Sequence, residues 1–506
     1  MWIITKSGQE RRSMRSQLRS AWPYRQSELS CPNSEKYRGI GYRVRMTVRL
    51  SNIFCIVMAA LAIASCAAGP KTDLKRLYAM QADNPDQPPV IVIHGTLGGR
   101  LQDSATGNEH WPGSLRNILF SDYRSLRLEI DPDSLQALPS NLVASGIARS
   151  AGGVDFYGRI LSTLEEVAGY KLSVPGTPAV HGEKRYYVFS YDWRQDNVST
   201  VRALDQFITR VREDYGRPDL QVDVVAHSMG GLITRYFIRY GRLDVLDDNE
   251  FPVSQYGAER IRRVILLGTP NLGSVGALRT LIEGYKVGLD TIPPEVVATF
   301  PSTYQLLPHA ITDWFVTMEG RPLKRDQFSA DNFWRRFEYS VFSEDVRQSI
   351  RKQYDDETEA DAYLALLQRY FRKHIERARR FSWSLTVPVP NAKVQYIVMG
   401  GDCLPTPARS VVEKVDGDWE LRLSPGEIER PSPGVDYDRL MLEPGDGTVT
   451  KASLLARQTV DPTVARHEYS FFPLDYPVFL CEKHSQLTGN IDFQNNLLHA
   501  LLSVDR

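Results

Sequence analysis

Hydrophobic and polar positions along residues 90–270 follow two alternating patterns. Short, mostly apolar runs occur at Val90–Ile93, Tyr186–Ser190, Gln221–Ala226 and Val264–Leu267. Such runs are typical of strands that are covered on both faces of a parallel sheet. Between them, apolar residues recur at helical spacing over Phe156–Val167, Thr200–Tyr215 and Leu232–Tyr240. This alternation predicts an α/β fold with a mostly parallel, doubly wound sheet.

The pattern changes after Gly273. Residues 275–385 are helical in pattern and aromatic-rich, and the longest helix predicted there is Asp355–Arg380. A strand at Val394–Met399 resumes the sheet, and Val411–Leu423 reads as a hairpin. We therefore predict one domain over residues 89–506, with a helical cap inserted at about residues 275–385.

The start of the chain has the features of an export signal. Ile53–Ala64 is an apolar run of 12 residues, preceded by Arg45 and Arg49. That is too short for a membrane-spanning helix but suits a secretory signal; a buried helix is the alternative. Cys66 ends a tetrapeptide that resembles the lipobox of bacterial lipoproteins, in which the thiol is acylated and the chain is cut just before it.

These features predict a leader over residues 1–65, with the lipoprotein signal at 46–65. Residues 1–45 would then precede the true start codon, at Met46. A polar tether would follow at residues 66–88. We expect a lipid anchor on Cys66 that holds the protein on a membrane surface of a bacterial cell envelope, facing the periplasm or the exterior.

Charge excludes one class of partner. The formal net charge of zero combines a basic leader, with 11 Lys/Arg and 3 Asp/Glu in residues 1–65, and a body with a net charge of −8. An acidic body of this kind does not suit nucleic-acid binding.

Five cysteines occur in the chain, and three of them belong to the predicted leader or the lipid anchor. Cys403 and Cys481 remain. In an oxidising compartment they would form a disulfide, but two buried free thiols are also compatible with the spacing.

A candidate nucleophile lies at the end of the third predicted strand. Val222–Ala226 runs directly into His227-Ser228-Met229-Gly230-Gly231, and an amphipathic helix follows. A serine on such a sharp turn between strand and helix projects its hydroxyl above the carboxyl edge of the sheet. We interpret Ser228 as the nucleophile and His227 as a structural residue.

Acyl transfer creates an oxyanion that needs preorganised donors. The backbone N–H of Met229 and one from the Gly-rich turn His94–Gly99 are the candidates, with Thr96 favoured in that turn. A plain loop at the end of a strand is the alternative for this turn.

Together these motifs resemble the lecithin:cholesterol acyltransferase-like branch of the α/β-hydrolases, which includes lysosomal phospholipases and phospholipid:diacylglycerol acyltransferases. Besides Ser228, the resemblance rests on Tyr191–Arg194, Gly268–Ser274, Pro301-Ser302 to Leu307-Pro308, and Gly445–Val449. Many relatives have Pro at the position of His94, and the His in this sequence is similar to that of bacterial lipases. The resemblance implies an α/β-hydrolase fold and serine-based acyl chemistry.

Two carboxylates compete for the role of the acid. Asp402 follows a strand, where the generic fold places this group, whereas Asp446 sits in the turn that resembles the family's acid motif. We favour Asp446. Of the histidines that follow, we interpret His467, at the start of an aromatic strand, and His499, in an apolar helix, as packing residues. His484 is then the predicted base, and a Cys403–Cys481 bridge would tie its loop to the loop after Val394–Met399.

The predicted function is that of a serine hydrolase acting on acyl esters of lipids through an acyl-enzyme, without a metal or organic cofactor. The alternatives are a lipid acyltransferase that uses an alcohol acceptor and a non-catalytic surface lipoprotein that binds lipid or a partner. Aromatic residues in the cap favour a long acyl chain if they face the site, but they equally suit a core within the cap itself.

Overall fold

A computed structural model describes residues 72–85, 87–113, 121–151, 154–323, 330–389 and 391–503. The predicted leader and Cys66 lie outside these residues. Strands are numbered here in chain order: β1 Val90–Ile93, β2 Gly99–Asp103, β3 Glu109–Trp111, β4 Leu142–Ile147, β5 Ser150–Ala151, β6 Val154–Asp155, β7 Lys171–Leu172, β8 Arg185–Phe189, β9 Val222–His227, β10 Ile261–Leu267, β11 Tyr285–Val287, β12 Asp290–Ile292, β13 Phe315–Thr317, β14 Gln395–Gly401, β15 Leu404–Pro407, β16 Ser410–Val415, β17 Asp418–Arg422, β18 Leu442–Gly445 and β19 Tyr476–Leu480.

Helices connect and cover these strands. In chain order they are α1 Leu74–Leu77, α2 Ala79–Ala82, α3 Gly158–Ser162, α4 Asn197–Asp214, α5 Met229–Tyr240, α6 Val275–Glu283, α7 Pro294–Val297, α8 Pro301–Tyr304, α9 Ala330–Arg336, α10 Glu344–Arg351, α11 Glu357–Thr386, α12 Tyr437–Met441, α13 Lys451–Leu454 and α14 Ile491–Leu502. Helix α3 continues as a π-helical turn, Thr163–Val167. Among the described residues, no helix is both long and apolar enough to cross a membrane.

The central sheet contains seven strands in the described part of the chain, in the order β19-β14-β10-β9-β1-β8-β7. All of its pairings are parallel. Successive side chains of a strand point to opposite faces, so each strand contributes to two cores. Ile91 and Ile93 pack with α4 and α5 on one face. Val90 and Val92 pack with α3 and α14 on the other. The predicted α/β class and its mostly parallel sheet are confirmed.

The cap occupies the chain between β10 and β14. It contains the helices α6 to α11, together with the hairpin β11–β12 and the short strand β13. The predicted hairpin forms as β16–β17, and β13 pairs with β16 to make a three-stranded sheet. The backbone groups of β13 therefore pair with β16, which lies outside the cap. The sequence pattern within residues 275–385 could not indicate this pairing.

The long cap helix α11 ends later than predicted. It runs on to Thr386, six residues past the expected end at Arg380. Buried arginines of α5 bind the carbonyls at this end: Arg239 Nε binds the Ser384 oxygen at 3.0 Å and Arg235 Nη2 binds the Leu385 oxygen at 2.6 Å. Because the last carbonyls of a helix have no partner within it, these donors stabilise the extension.

Two further expectations need correction. His467 does not open a strand: its Nδ1 accepts the N–H of Tyr469, which caps the short 3₁₀ turn Glu468–Ser470, and β19 begins later, at Tyr476. The tether predicted over residues 66–88 is not found at residues 72–85, which include two helical turns that pack on the body. Leu74 is buried there, and the Tyr78 hydroxyl donates to the Asn495 backbone oxygen at 2.8 Å.

A disulfide joins the ends of two neighbouring strands. Cys403 follows β14 and Cys481 follows β19, and their sulfurs are bonded at 2.07 Å. The bridge closes a loop with a sequence separation of 78 residues. A cross-link over a long loop stabilises a fold mainly by restricting the unfolded chain.

We expect the double substitution Cys403→Ser/Cys481→Ser to lower the free energy of unfolding by about 4.5 kcal/mol, the value for a loop of this length. Urea titration followed by tryptophan fluorescence measures it. Wild-type protein unfolded in the presence of a reductant is the control and should show the same loss. Equal stability of the variant and the oxidised wild type would contradict the prediction.

Candidate active site

Ser228 occupies the turn between β9 and α5. Its backbone has φ +53° and ψ −123°, a region that non-glycine residues rarely adopt. The turn is held by two backbone hydrogen bonds: the Ser228 N–H donates to the Leu267 oxygen at 2.8 Å, and the Gly231 N–H donates to the Ser228 oxygen at 3.0 Å. The strained turn is therefore hydrogen-bonded to the end of β10 and to the first turn of α5.

Small residues around the turn are required by close approach of the backbone. A Cβ at Gly95 would lie 2.7 Å from the Ser228 Cβ, and one at Gly231 would lie 2.0 Å from the Thr269 Oγ1. Neither position can accept a side chain unless the strands move apart. This packing explains why Gly231 lies in the first turn of α5, three residues after Ser228, and why the turn after β1 contains Gly95.

The three predicted catalytic side chains meet at the carboxyl ends of the strands. His484 Nε2 lies 3.0 Å from the Ser228 Oγ, and His484 Nδ1 lies 2.8 Å from the Asp446 Oδ2. The backbone N–H of His484 also donates to the Asp446 backbone oxygen at 2.9 Å. One ring nitrogen therefore faces the hydroxyl while the other faces a carboxylate, which is the arrangement that a general base for a serine needs.

Asp446 is almost completely buried, and its second oxygen is also occupied. Oδ1 accepts the N–H of Val449 at 2.7 Å and the N–H of Thr448 at 2.9 Å. Burial alone would raise the pKa of Asp446, but His484 and these two N–H groups favour the ionised form and bring the pKa below its usual value. The carboxylate thus remains charged and fixed in orientation.

Asp402, the competing carboxylate, lies elsewhere. Its Oδ2 forms an ion pair with Lys451 Nζ at 2.8 Å, and the side chain is 31% exposed. His467 and His499, interpreted from the sequence as packing residues, are both exposed, so that interpretation is wrong for each. Neither contacts Ser228 or Asp446.

Thr96 and Met229 flank the serine as the predicted oxyanion donors. Thr96 lies in the turn after β1 and Met229 is the first residue of α5, and the Thr96 hydroxyl contacts the Met229 sulfur at 3.5 Å. Within the described residues, neither backbone N–H donates to another group. Thr96 lines the cavity beside Ser228, and Met229 is buried next to it.

His94 begins this turn and supports it through its side chain, for which the sequence predicted no role. The buried ring stacks on Tyr191 at a centroid distance of 4.2 Å, and its Nε2 accepts the Tyr191 N–H at 3.3 Å. The other nitrogen, Nδ1, then carries the proton and donates to the Gly95 oxygen at 2.8 Å. Desolvation lowers the pKa of His94 to about 4, so the ring is neutral at physiological pH. No short motif reveals this role, because it depends on contact with a distant segment.

A cavity of about 910 Å³ opens at these groups. Its walls include apolar side chains from the body and the cap, among them Leu97, Trp111, Ala277, Val287, Leu306 and Val449. Of the aromatic residues in the cap, Tyr285 lines the cavity. Phe333, Trp334, Phe337 and Phe342 instead pack with one another or with Phe371 of α11. Most of these rings thus form the core of the cap.

The motif Tyr191–Arg194 joins the cap to the body. The Arg194 side chain is fully buried, pairs with Asp192 at 2.7 Å, and donates to the Leu126 oxygen at 2.9 Å. The backbone oxygen of Trp193 accepts the Ser302 hydroxyl of α8 at 2.6 Å. This motif therefore positions the cap over the sheet. Among the described residues, no group of three or more His, Cys, Asp or Glu side chains is arranged to hold a metal ion.

The chain is similar to known lipid enzymes in sequence and fold. The family model described as lecithin:cholesterol acyltransferase matches residues 181–455, just over half of the chain. No curated protein matches the chain in sequence. Among solved structures, a chain of the Tle4–Tli4 complex is 14% identical with a TM-score of 0.52, over 82% of this chain and 98% of that one. This similarity shows a shared fold.

Two lipase structures match with lower scores. Mature Bacillus licheniformis lipase BlEst2 is 13% identical with a TM-score of 0.31, over 83% of this chain and 94% of that chain. Staphylococcus hyicus lipase is 12% identical with a TM-score of 0.31, over 82% of this chain and 92% of that chain.

The two carboxylates provide a matched test of the acid. For the ester hydrolysis predicted from the sequence, Asp446→Asn should lower kcat by about 1000-fold or more, because a neutral amide neither orients the His484 ring nor stabilises its protonated form. Asp402→Asn removes a partly exposed ion pair worth about 1 kcal/mol or less and should leave kcat near the wild-type value. Steady-state kinetics on a soluble ester measures both. A larger loss in Asp402→Asn than in Asp446→Asn would reverse the assignment.

Proposed function

Because the chain belongs to the lecithin:cholesterol acyltransferase family, we propose that it hydrolyses or transfers acyl groups of lipid esters through an acyl-enzyme on Ser228. Family membership supports an ester-hydrolysing or acyl-transferring enzyme in general. The observation that carries the specific proposal is the hydrogen-bonded line from Asp446 through His484 to Ser228 at the wall of a large cavity.

In the proposed first step, His484 Nε2 accepts the hydroxyl proton as the Ser228 oxygen attacks the ester carbonyl. The negative charge that develops on the carbonyl oxygen is stabilised by the N–H groups of Thr96 and Met229. A single donor of this kind typically contributes about 100- to 1000-fold in rate. The ester bond then breaks, the alcohol leaves with the proton from His484, and the acyl group remains on Ser228.

Water or an alcohol completes the reaction by the same chemistry in reverse. His484 takes a proton from the incoming hydroxyl, the acyl group leaves Ser228, and the product is a free acid or a new ester. Hydrolysis is our primary proposal. Transfer to an alcohol is the second candidate, because the family that matches residues 181–455 is described as an acyltransferase.

The cavity supports a lipid acyl group as substrate. Its volume of about 910 Å³ and its apolar side chains from both the body and the cap suit a long hydrocarbon chain. The proposed arrangement of the chain in the cell is a leader over residues 1–65, a lipid anchor on Cys66 and a catalytic domain that begins near residue 89. This arrangement would hold the domain close to a membrane surface.

Product analysis tests the function directly. Purified protein is incubated with phospholipid or neutral glyceride vesicles, with and without an added long-chain alcohol, and the lipids are quantified by mass spectrometry. We expect free fatty acid in water and, if transfer competes, a new ester when alcohol is present. Ser228→Ala should abolish both products and labelling by a fluorophosphonate. Unchanged product formation by Ser228→Ala would refute the proposal.

A bulky residue in the cavity wall should change the preference for chain length. Ala277 lies on α6 and lines the cavity, so Ala277→Phe places a ring where an acyl chain would lie. We expect kcat/KM to fall at least about tenfold for long-chain esters, the lower end of the range for one methylene that no longer fits. A short-chain ester is the internal control and should be turned over at nearly the wild-type rate. Equal losses for both esters would exclude Ala277 from the acyl site.

A further inference from the structure

A second histidine lies behind the proposed base. The ring of His227 is 4.9 Å from the ring of His484, and its Nε2 lies 3.3 Å from the His484 backbone oxygen. Its Nδ1 lies 2.7 Å from the Tyr157 hydroxyl. A carbonyl oxygen can accept but not donate, so Nε2 must carry the proton. In the neutral ring Nδ1 is then an acceptor, and Tyr157 donates to it.

The Tyr157 hydroxyl has a second partner in the oxyanion turn. It accepts the backbone N–H of Gly95 at 2.9 Å. A continuous line of hydrogen bonds therefore runs from Gly95 through Tyr157 and His227 to the carbonyl of His484. Every donor in this line points the same way. The line connects four segments that are distant in sequence and ends at the residue that faces Ser228.

Protonation does not disturb this direction at physiological pH. Tyr157 is 3% exposed, and burial raises the pKa of its hydroxyl, which keeps the proton that it donates. Burial, and then the neighbouring His484, lower the pKa of His227 to about 3, so its ring stays neutral well below pH 7. The two side chains can thus keep the same hydrogen bonds over the pH range in which a serine hydrolase works.

We propose that Tyr157 and His227 are positioning residues, which hold the oxyanion turn and the His484 loop in register with Ser228 through this hydrogen-bonded line. The proposal rests on the proposed acyl chemistry. Asp446 restrains the ring and the N–H of His484. The line from Gly95 restrains the carbonyl of the same residue, so the base is held from both sides. A shift of about 1 Å in such a group can cost about 100-fold in rate.

Tyr157→Phe removes one oxygen and keeps the ring, which makes it the mildest test. We expect kcat to fall about 10- to 100-fold while KM changes less than about threefold, because Phe keeps the ring that Tyr157 contributes to the cavity wall but the reacting groups lose their register. Tyr236→Phe is the matched control. That buried hydroxyl also accepts a backbone N–H, from Val245 at 3.1 Å, and donates to the Leu243 oxygen at 2.9 Å, but it is not among the groups that line the cavity.

A double-mutant cycle distinguishes positioning from packing. Tyr157→Phe combined with His227→Phe should lower kcat no further than the more severe single variant, because both interrupt one line. His227→Gln retains a donor for the His484 carbonyl and should restore about five- to tenfold of the activity lost in His227→Phe. Independent, multiplicative losses would overturn the proposal. So would a Tyr157→Phe variant that loses thermal stability but retains wild-type kcat.

The two proposals fail in different ways. If wild-type protein neither turns over esters nor reacts with a fluorophosphonate, the proposed function fails. If wild-type protein does both and Tyr157→Phe matches Tyr236→Phe in kcat, the positioning proposal alone fails. Support requires an active wild type, a loss in kcat confined to the line, and non-additivity in the cycle.

Discussion

The turn at Ser228 is the constraint on which the site depends. Its backbone adopts φ +53°, a strained conformation. The fold tolerates this strain because glycines, which have no side chain, pack closely around the turn. Gly95 and Gly231 lie so close to Ser228 and Thr269 that a Cβ at either position would overlap them. The same close approach brings the turn after β1 beside the nucleophile and leaves the N–H groups of Thr96 and Met229 unpaired. Strain at one residue and small neighbours at two others thus create both the exposed hydroxyl and its candidate oxyanion site.

The acid and the base are brought to this turn by the far edge of the sheet. β14 and β19 pair in parallel, and the Cys403–Cys481 disulfide joins the segments that leave them. Those segments lead to β15, whose partner β18 precedes Asp446, and to His484. Covalent and backbone links at the strand ends therefore limit how far the two side chains can separate. The hydrogen bonds around Asp446 and His484 then set their orientation.

Buried arginines attach the cap to the body. Arg235 and Arg239 of α5 bind carbonyls at the end of the cap helix α11. Desolvation, and then the neighbouring Arg239, lower the pKa of Arg235 to about 9. Backbone carbonyls accept the hydrogen bonds of this buried guanidinium in place of a carboxylate. They can do so only when the cap and the body are in this arrangement. The cap is consequently held in position by polar contacts at the end of α11, while its aromatic residues supply its own core.

The sequence alone determined the features that depend on neighbouring residues. Runs such as Val222–Ala226 and the small residues after Ser228 identify strand, turn and helix, because length, periodicity and steric demand are local. Chain order narrowed the acid to Asp402 or Asp446 and favoured His484. Tertiary structure decided which carboxylate faces the base, because Lys451 pairs with Asp402 and backbone N–H groups hold Asp446. It also decided the end of α11, the lining of the cavity and the contacts of Tyr157, because each depends on partners from segments far apart in the chain.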